Sequence, residues 1–306
     1  MRASSRASLS PTLACTLCAF AGSLQAQESI LLRFRPAQAT AVHLLTWTEG
    51  VVTLGELVAG ETEGVLTDTV SFEISALHSV TERILESDEG RFVIERTLDS
   101  ARGRARPVGG AWTAIPPERL PTASARAVVS SRLQTVEFRP SEEDTLAPSG
   151  AAWLLRNPGL GVEFVLPDER VTPGSDWSAE MVARFDPIID WQRESGAFAE
   201  RTELVGQAKV TLERLEVRGP DTLAYLEFRG TFLPVALTDA REIAVRTATI
   251  TGGFAGQLIW STAWSRFVSG ANRLGVFVRS ALPEADPSGV EVGMRFDMVS
   301  RFQVRP

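Results

Sequence analysis

Cysteine is nearly absent from this chain of 306 residues, because its two cysteines, Cys15 and Cys18, both lie within the first 26 positions. Residues 27–306 therefore contain no disulfide framework, thiolate zinc site or cysteine nucleophile. A lipoprotein signal needs a cysteine at the cleavage site, normally with a branched apolar residue three positions before it. Neither cysteine fits that pattern, so we expect a protein without a lipid anchor.

Histidine is almost as scarce. His43 and His78 are the only two, 35 positions apart, and the chain has no His-x-x-x-His pair. It also lacks the Gly-x-Ser-x-Gly motif that presents the nucleophile of many hydrolases. A catalytic triad needs a serine and an acid placed around the base, and nothing near either histidine supplies both. We interpret both as structural or surface residues.

Positive charge is in the minority. The formal net charge is −7, and residues 27–306 have 29 basic against 38 acidic side chains, a net charge of −9. An acidic surface repels phosphate backbones, so we expect no nucleic-acid partner. No apolar run after residue 26 approaches 18 residues, so no transmembrane helix is expected.

The first 26 residues have the pattern of a secretory signal peptide. Arg2 and Arg6 precede a mostly apolar stretch from about Leu9 to Gly22, and the small residues of Ser23–Ala26 suit a cleavage site. The apolar stretch is shorter than the about 20 residues that cross a bilayer. We therefore expect an exported protein, periplasmic or extracellular, with association with the outer membrane left open.

Alternation of apolar and polar residues is the dominant pattern after the signal. In Val70–Ala76 every second side chain is apolar, as in a strand with one buried face. Hairpins are predicted at 84–98, with a turn at Ser87–Gly90, and at 205–232, with a turn at Arg218–Asp221. Further strands are predicted at 30–35, 42–48, 51–57, 242–251, 257–268, 273–280 and 290–304, with another hairpin turn at 269–272.

Two stretches interrupt the strands. Residues 100–125 are rich in Arg, Gly and Pro and predict a long loop, and 141–175 includes a short helix begun by Ser149. A second helical turn is predicted from Asp186 to Glu194. The fold prediction is all-β: an antiparallel meander forming one or two curved sheets or half-barrels, with one or two short helices. Its parts are a signal peptide (1–26), an N-terminal half (27–140), a connecting segment (141–200) and a C-terminal half (201–306).

Three charged groups are candidates for chemistry. Glu142–Asp144 could bind calcium through oxygen ligands, although a solvated acidic run explains it as well. Asp186, Asp190 and Glu194 would share a helix face, which a capping residue and a solvated surface also explain. We predict no metal and no cofactor. The third group, Arg102, Arg104 and Arg106, could dock on anionic lipid head groups or on an acidic patch of a partner, or could be a solvated loop.

Aromatic residues supply the candidate binding site. Trp260 and Trp264 are an even number of positions apart, so one continuous strand would direct both to the same side. Together with Trp177, Phe254 and Leu258 they could line the hollow of a curved sheet that holds an apolar ligand. A densely packed core of large side chains explains the same residues.

Several short segments resemble a family of exported, β-rich bacterial envelope proteins of unknown function. They are Leu31–Pro36, Phe164–Pro167, Pro173–Trp177 and Phe254–Leu258. The resemblance implies an antiparallel β architecture distantly similar to that of periplasmic lipoprotein carriers, whose half-open barrels hold acyl chains. It implies no catalytic residues. Members of the family often have a lipid-anchor cysteine, and this chain lacks a convincing one.

The leading functional prediction is non-enzymatic: binding of an apolar ligand, such as a lipid or acyl chain, or of an envelope partner. One alternative is an outer-membrane β-barrel, against which the chain ends in Val304–Pro306 rather than an aromatic residue. The other is an exported hydrolase with a dispersed carboxylate site at Asp176, Asp186 and Asp190.

Overall fold

Antiparallel β-structure makes up almost all of the described chain, which confirms the predicted all-β fold. The computed structural model describes residues 29–57, 65–115, 123–140, 155–156, 159, 163–184, 203–239, 246–281 and 291–305. The predicted signal peptide, the acidic run Glu142–Asp144 and the helical turn at Asp186–Glu194 lie outside these residues. Of the helix predicted after Ser149, only Leu155 and Arg156 are described, and their backbone is helical.

Thirteen strands are formed by the described residues. They are β1 (Ala41–Leu57), β2 (Leu66–Asp88), β3 (Arg91–Pro107), β4 (Thr113–Ile115), β5 (Ser124–Ser130), β6 (Thr135–Pro140), β7 (Asp176–Arg184), β8 (Glu203–Arg218), β9 (Asp221–Phe232), β10 (Val235–Asp239), β11 (Arg246–Ser261), β12 (Arg266–Ala281) and β13 (Glu291–Arg305).

All of these strands belong to one open, curved sheet, with the order β6-β5-β3-β2-β1-β13-β12-β11-β9-β8-β7; β4 pairs with β3 and β10 with β11. The chain starts at the centre, reaches one edge at β6, crosses to the other edge at β7 and returns to the centre. The first and last strands pair from His43–Arg305 to Glu56–Val292, which joins the N-terminal and C-terminal halves. β7 lies within the segment predicted to be a connector.

Both predicted hairpins are present. β2 and β3 are joined by Glu89 and Gly90, and β8 and β9 by Gly219 and Pro220. Gly90 has a φ of 89° and Gly219 a φ of 60°, in the left-handed region that favours glycine. At both places the turn residues and the alternation in the flanking strands indicate the same hairpin, which is why the local sequence pattern was sufficient to predict it.

The hairpin turn predicted at 269–272 is wrong. The chain turns at Thr262–Ser265 instead, and β12 continues through Gly270. A Cβ on Gly270 would lie 2.6 Å from the Phe302 ring and 2.8 Å from Leu258 Cδ2, so glycine is required there for packing rather than for a turn. Asp221 stabilises the turn at Thr262–Ser265, because its carboxylate accepts a hydrogen bond from Ser261 Oγ at 2.6 Å.

The prediction of a long loop at 100–125 is also wrong over much of that range. β3 continues to Pro107, with an irregularity in its pairing near Asp99, and β4 and the start of β5 occupy further residues. In this part of β3, Ala101, Gly103 and Ala105 alternate with Arg102, Arg104 and Arg106. Because the alternating residues are small rather than large and apolar, the segment does not look like a strand.

The strand predicted at 30–35 is reduced to a single bridge between Ile30 and Val171.

One face of the sheet, here called the inner face, carries the core, and two segments cross it. The N-terminal segment (29–36) buries Leu32 and Phe34. The crossover segment (described residues 155–156, 159 and 163–171) joins β6 to β7 and buries Leu155, Phe164 and Leu166. Because β6 and β7 lie at opposite edges, this connection has to pass across the sheet.

Candidate functional site

A buried ionic cluster lies on the inner face, near the end where the strands are joined by tight turns. Glu82 of β2 accepts a hydrogen bond from Arg96 Nε of β3 at 3.2 Å and from Arg266 Nη2 of β12 at 3.0 Å. The side chains of all three are 8% exposed or less. Since β1 and β13 separate β2 from β12, the contact between Glu82 and Arg266 spans the hollow of the curved sheet.

Glu82 remains ionised in this setting. Burial alone would raise its pKa, but the charges and hydrogen bonds of Arg96 and Arg266 lower the pKa below its ordinary value. Arg96 also donates through Nη1 to the carbonyl oxygens of Leu155, at 2.9 Å, and Arg156, at 2.6 Å. The cluster therefore connects both halves of the sheet to the crossover segment.

A cavity of about 110 Å³ adjoins the cluster. Its described lining comprises Phe34, Leu44, Glu82, Ile94, Arg96, Val129, Leu133, Thr135, Arg156, Glu163, Phe164, Leu258, Arg266, Phe267, Phe302 and Val304. The walls are thus mainly apolar, with three arginines and two glutamates among them. Burial raises the pKa of Glu163, although a hydrogen bond from the Thr135 backbone and the charges of Arg156 and Arg96 oppose the rise.

Arginine outnumbers ionised carboxylate among these lining residues. Arg96, Arg156 and Arg266 supply three positive charges, whereas Glu82 and Glu163 supply at most two negative charges. Arg156 Nε is buried and has no hydrogen-bond partner. The described lining therefore carries at least one positive charge in excess, in surroundings of low polarity.

The structure places the predicted ligand-binding residues in different environments. Phe254, Leu258 and Trp260 are buried on the inner face of β11, and only Leu258 lines the cavity. Trp177 of β7 is partly buried against the core, with its Nε1 unpartnered. Trp264 lies in the turn after β11 and is 37% exposed, so the prediction that it shares a strand face with Trp260 is wrong.

Sequence reasoning missed the ionic cluster, although a signal was present. Glu82 stands between Val80 and Ile84, and Arg96 between Ile94 and Leu98, all on the inward-facing positions of their strands. A charged residue within an otherwise apolar strand face is uncommon, because an isolated buried charge is costly. It indicates either a buried ion pair or a binding site.

Neither histidine forms a catalytic arrangement with the residues that the structure describes. On the outer face, His43 Nδ1 lies 2.9 Å from Thr81 Oγ1, and Thr81 donates its proton to Asp99 Oδ2 at 2.7 Å. The hydroxyl can therefore only accept from His43, which excludes His43 as its base. His78 is on the inner face, where burial lowers its pKa to about 4, so it is neutral at pH 7.

The arginines of β3 contribute to a groove on the outer face. Arg104 and Arg106 lie 4.4 and 4.6 Å from the Trp112 ring, and Arg106 pairs with Glu73 at 2.5 Å. Two adjoining depressions of about 530 and 430 Å³ share Arg104. Their described lining comprises Trp47, Glu49, Gly50, Val51, Glu73, Ile74, Ser75, Ala76, Leu77, Arg102, Gly103, Arg104, Trp112, Ala114, Arg273, Asp297, Val299 and Arg301. The arginine cluster thus lies on a strand and not in a loop.

Metal and carboxylate chemistry find little support in the described part of the chain. It has no group of three or more His, Cys, Asp or Glu side chains that could hold a metal ion. Asp176, at the start of β7, forms an ion pair with Lys209, and Asp186 and Asp190 lie outside the described residues.

No helix in the described part of the chain is both long and apolar enough to cross a bilayer. In comparisons with known proteins, no family model matches the chain and no curated protein is significantly similar to it.

Proposed function

We propose that this chain is an exported, non-catalytic binding protein of the cell envelope that holds an apolar ligand, a lipid or acyl chain, against the inner face of its sheet. The observation that carries the proposal is a row of half-buried apolar side chains. Ile74, Met298 and Leu274 lie side by side on β2, β13 and β12, with Gly50 of β1 between the first two. Phe254, one of the predicted ligand residues, is next in the row on β11.

One feature of this row suits an apolar ligand. A Cβ on Gly50 would collide with Met298 Sδ, so the lack of a side chain at Gly50 lets the flexible thioether of Met298 lie across the row, where it can adapt to different ligand shapes.

Dodecanol, an uncharged single-chain lipid, tests the proposal. Titration calorimetry and tryptophan fluorescence on purified 27–306 should detect binding, and Met298→Gln should weaken it because the amide places polar atoms on the inner face. Val299→Gln is the matched control, since Val299 is the next residue and faces outward, with 38% of its surface exposed. Equal effects of the two substitutions, or no binding of dodecanol, phospholipid or acylated peptide by the unaltered protein, would contradict the proposal.

A second candidate function is docking of an envelope protein with an acidic patch on the outer-face groove. The observation in its favour is the positive cluster itself: Arg102, Arg104 and Arg106 project from one strand in a chain whose overall charge is negative. A photo-crosslinking residue at Trp112 should give a discrete adduct in cells that Arg104→Glu abolishes. The same residue at Trp264, also on the surface, is the control. Identical adducts at both positions would count against a specific partner.

A further inference from the structure

From the excess of positive charge among the described lining residues we infer that the inner cavity binds the carboxylate of an acidic amphipathic ligand, and that Arg156 is the residue that pairs with it. The inference rests on the proposed function, because it names the head group of the ligand that the inner face would hold. It adds a site, a ligand class and a residue that the apolar row does not specify.

The charge balance of the cavity leads to this inference. Arg96 and Arg266 both contact the single carboxylate of Glu82, and Arg96 has two further acceptors in the carbonyls of Leu155 and Arg156. The charge of Arg156 acts on Glu163, the other lining acid, but Glu163 uses one oxygen to accept from the Thr135 backbone, and the buried Nε of Arg156 has no acceptor among the described residues. A buried donor without an acceptor, in a lining that has more arginines than carboxylates, favours an anion.

The size and walls of the cavity select the kind of anion. A volume of about 110 Å³ is somewhat smaller than the roughly 150 Å³ engineered cavity that holds benzene, so a carboxylate and its first few methylene groups fit. Phe164, Leu258 and Phe302 contribute apolar walls that would contact those methylene groups. The planar fork of a guanidinium matches the two oxygens of a carboxylate.

A pair of ligands with the same chain isolates the head group. At pH 7, dodecanoate should bind purified 27–306 about tenfold more tightly than dodecanol, which corresponds to one charge-assisted hydrogen bond. Arg156→Gln should remove that preference, because it weakens dodecanoate binding more than dodecanol binding, and Arg156→Lys should retain part of it. Arg229→Gln is the control, because the Arg229 side chain is 80% exposed on β9.

A second substitution keeps the test independent of Arg156. Glu163→Gln removes a negative charge from the lining and should strengthen dodecanoate binding several-fold relative to dodecanol binding. Circular dichroism of each variant establishes that it is folded. Equal affinity of the unaltered protein for both ligands, or an Arg156→Gln variant that still prefers dodecanoate, would overturn the inference and leave the proposed function standing. Failure of both ligands to bind would overturn both.

Discussion

Glu82 and His78 lie on the same strand and the same inner face, and burial disfavours the charged form of both, but only Glu82 stays charged. Glu82 stays ionised because Arg96 and Arg266 more than compensate for its loss of solvation. His78 gives up its charge, because burial lowers its pKa to about 4. The difference shows that, at the scale of single residues, the partner rather than the depth of burial decides the charge.

His78 should make the protein less stable in mild acid. In the unfolded chain its pKa is about 6.5, so between pH 6.5 and 4 the unfolded state binds a proton that the folded state does not. The stability present above pH 6.5 is then lost as the pH falls, by up to about 3 kcal/mol near pH 4. Urea unfolding from pH 7 to 4 should show a smaller loss for His78→Gln than for the unaltered protein.

His43→Gln is the control for this measurement, because His43 is exposed on the outer face. Its unfolding free energy should follow that of the unaltered protein across the range. If His78→Gln followed it as well, burial of a neutral imidazole would not be the cause of the acid sensitivity.

Some of the site could have been found from sequence and some could not. Alternation in 80–84 and 94–98 is enough to show that Glu82 and Arg96 face inward. It does not reveal Arg266, which is 184 positions from Glu82 along the chain. That contact depends on the curvature of the sheet, which brings β12 toward β2 across two intervening strands.

At the scale of elements, the crossover segment is the least regular part of the described core and one of its best buried. Leu166 is 1% exposed, its backbone N–H donates to the carbonyl oxygen of Arg132 at 2.9 Å, and the Phe164 ring packs edge-on against the Phe228 ring with their centroids 4.6 Å apart. Carbonyl groups of this irregular backbone accept hydrogen bonds from arginine side chains, as at Leu166, to whose carbonyl oxygen Arg132 Nε donates at 2.8 Å. We infer that apolar packing and these side-chain hydrogen bonds, rather than strand pairing, hold most of the segment to the sheet.

Leu166→Ala should therefore lower the free energy of unfolding by about 2–5 kcal/mol, the range for a large-to-small change in a core. Chemical denaturation of purified 27–306 measures the loss. Val217→Ala is the control: Val217 is 65% exposed on β8, and its truncation should change stability by less than about 0.5 kcal/mol. Comparable losses for both variants would mean that the crossover segment is not part of the cooperative core.

The success of strand prediction depended on what kind of residues alternate. The hairpins at 84–98 and 205–232 have large apolar side chains on one face and clear turn residues, so local pattern and tertiary role agree. In 100–107 the inward residues are small, and at Gly270 a turn-like residue serves packing. The local pattern misleads in both places because contacts with residues that are distant in sequence determine which residue type fits there.

At the scale of the whole molecule, the pairing of β1 with β13 makes a single sheet from the first and last strands of the chain. The contact between Glu82 and Arg266 connects the same two halves from the inner face. Two halves joined by a long ladder and a shared core should open together.

We therefore expect one cooperative unfolding transition. Amide hydrogen exchange in increasing urea should give β2, in the N-terminal half, and β11, in the C-terminal half, the same opening free energy. A lower value for either half would show instead that the halves are separate folding units.

The amino-acid sequence by itself determined which side chains face inward along most strands and that the strands are antiparallel, because both follow from period-two alternation and short turns. Only the tertiary structure decided that β1 pairs with β13, that the crossover segment covers the inner face, and that Arg156 and Arg266 join Arg96 and Glu82 around one cavity. Alternation is a property of neighbouring residues. Which strands meet, and which charges share a buried space, depends on contacts between residues far apart in the chain.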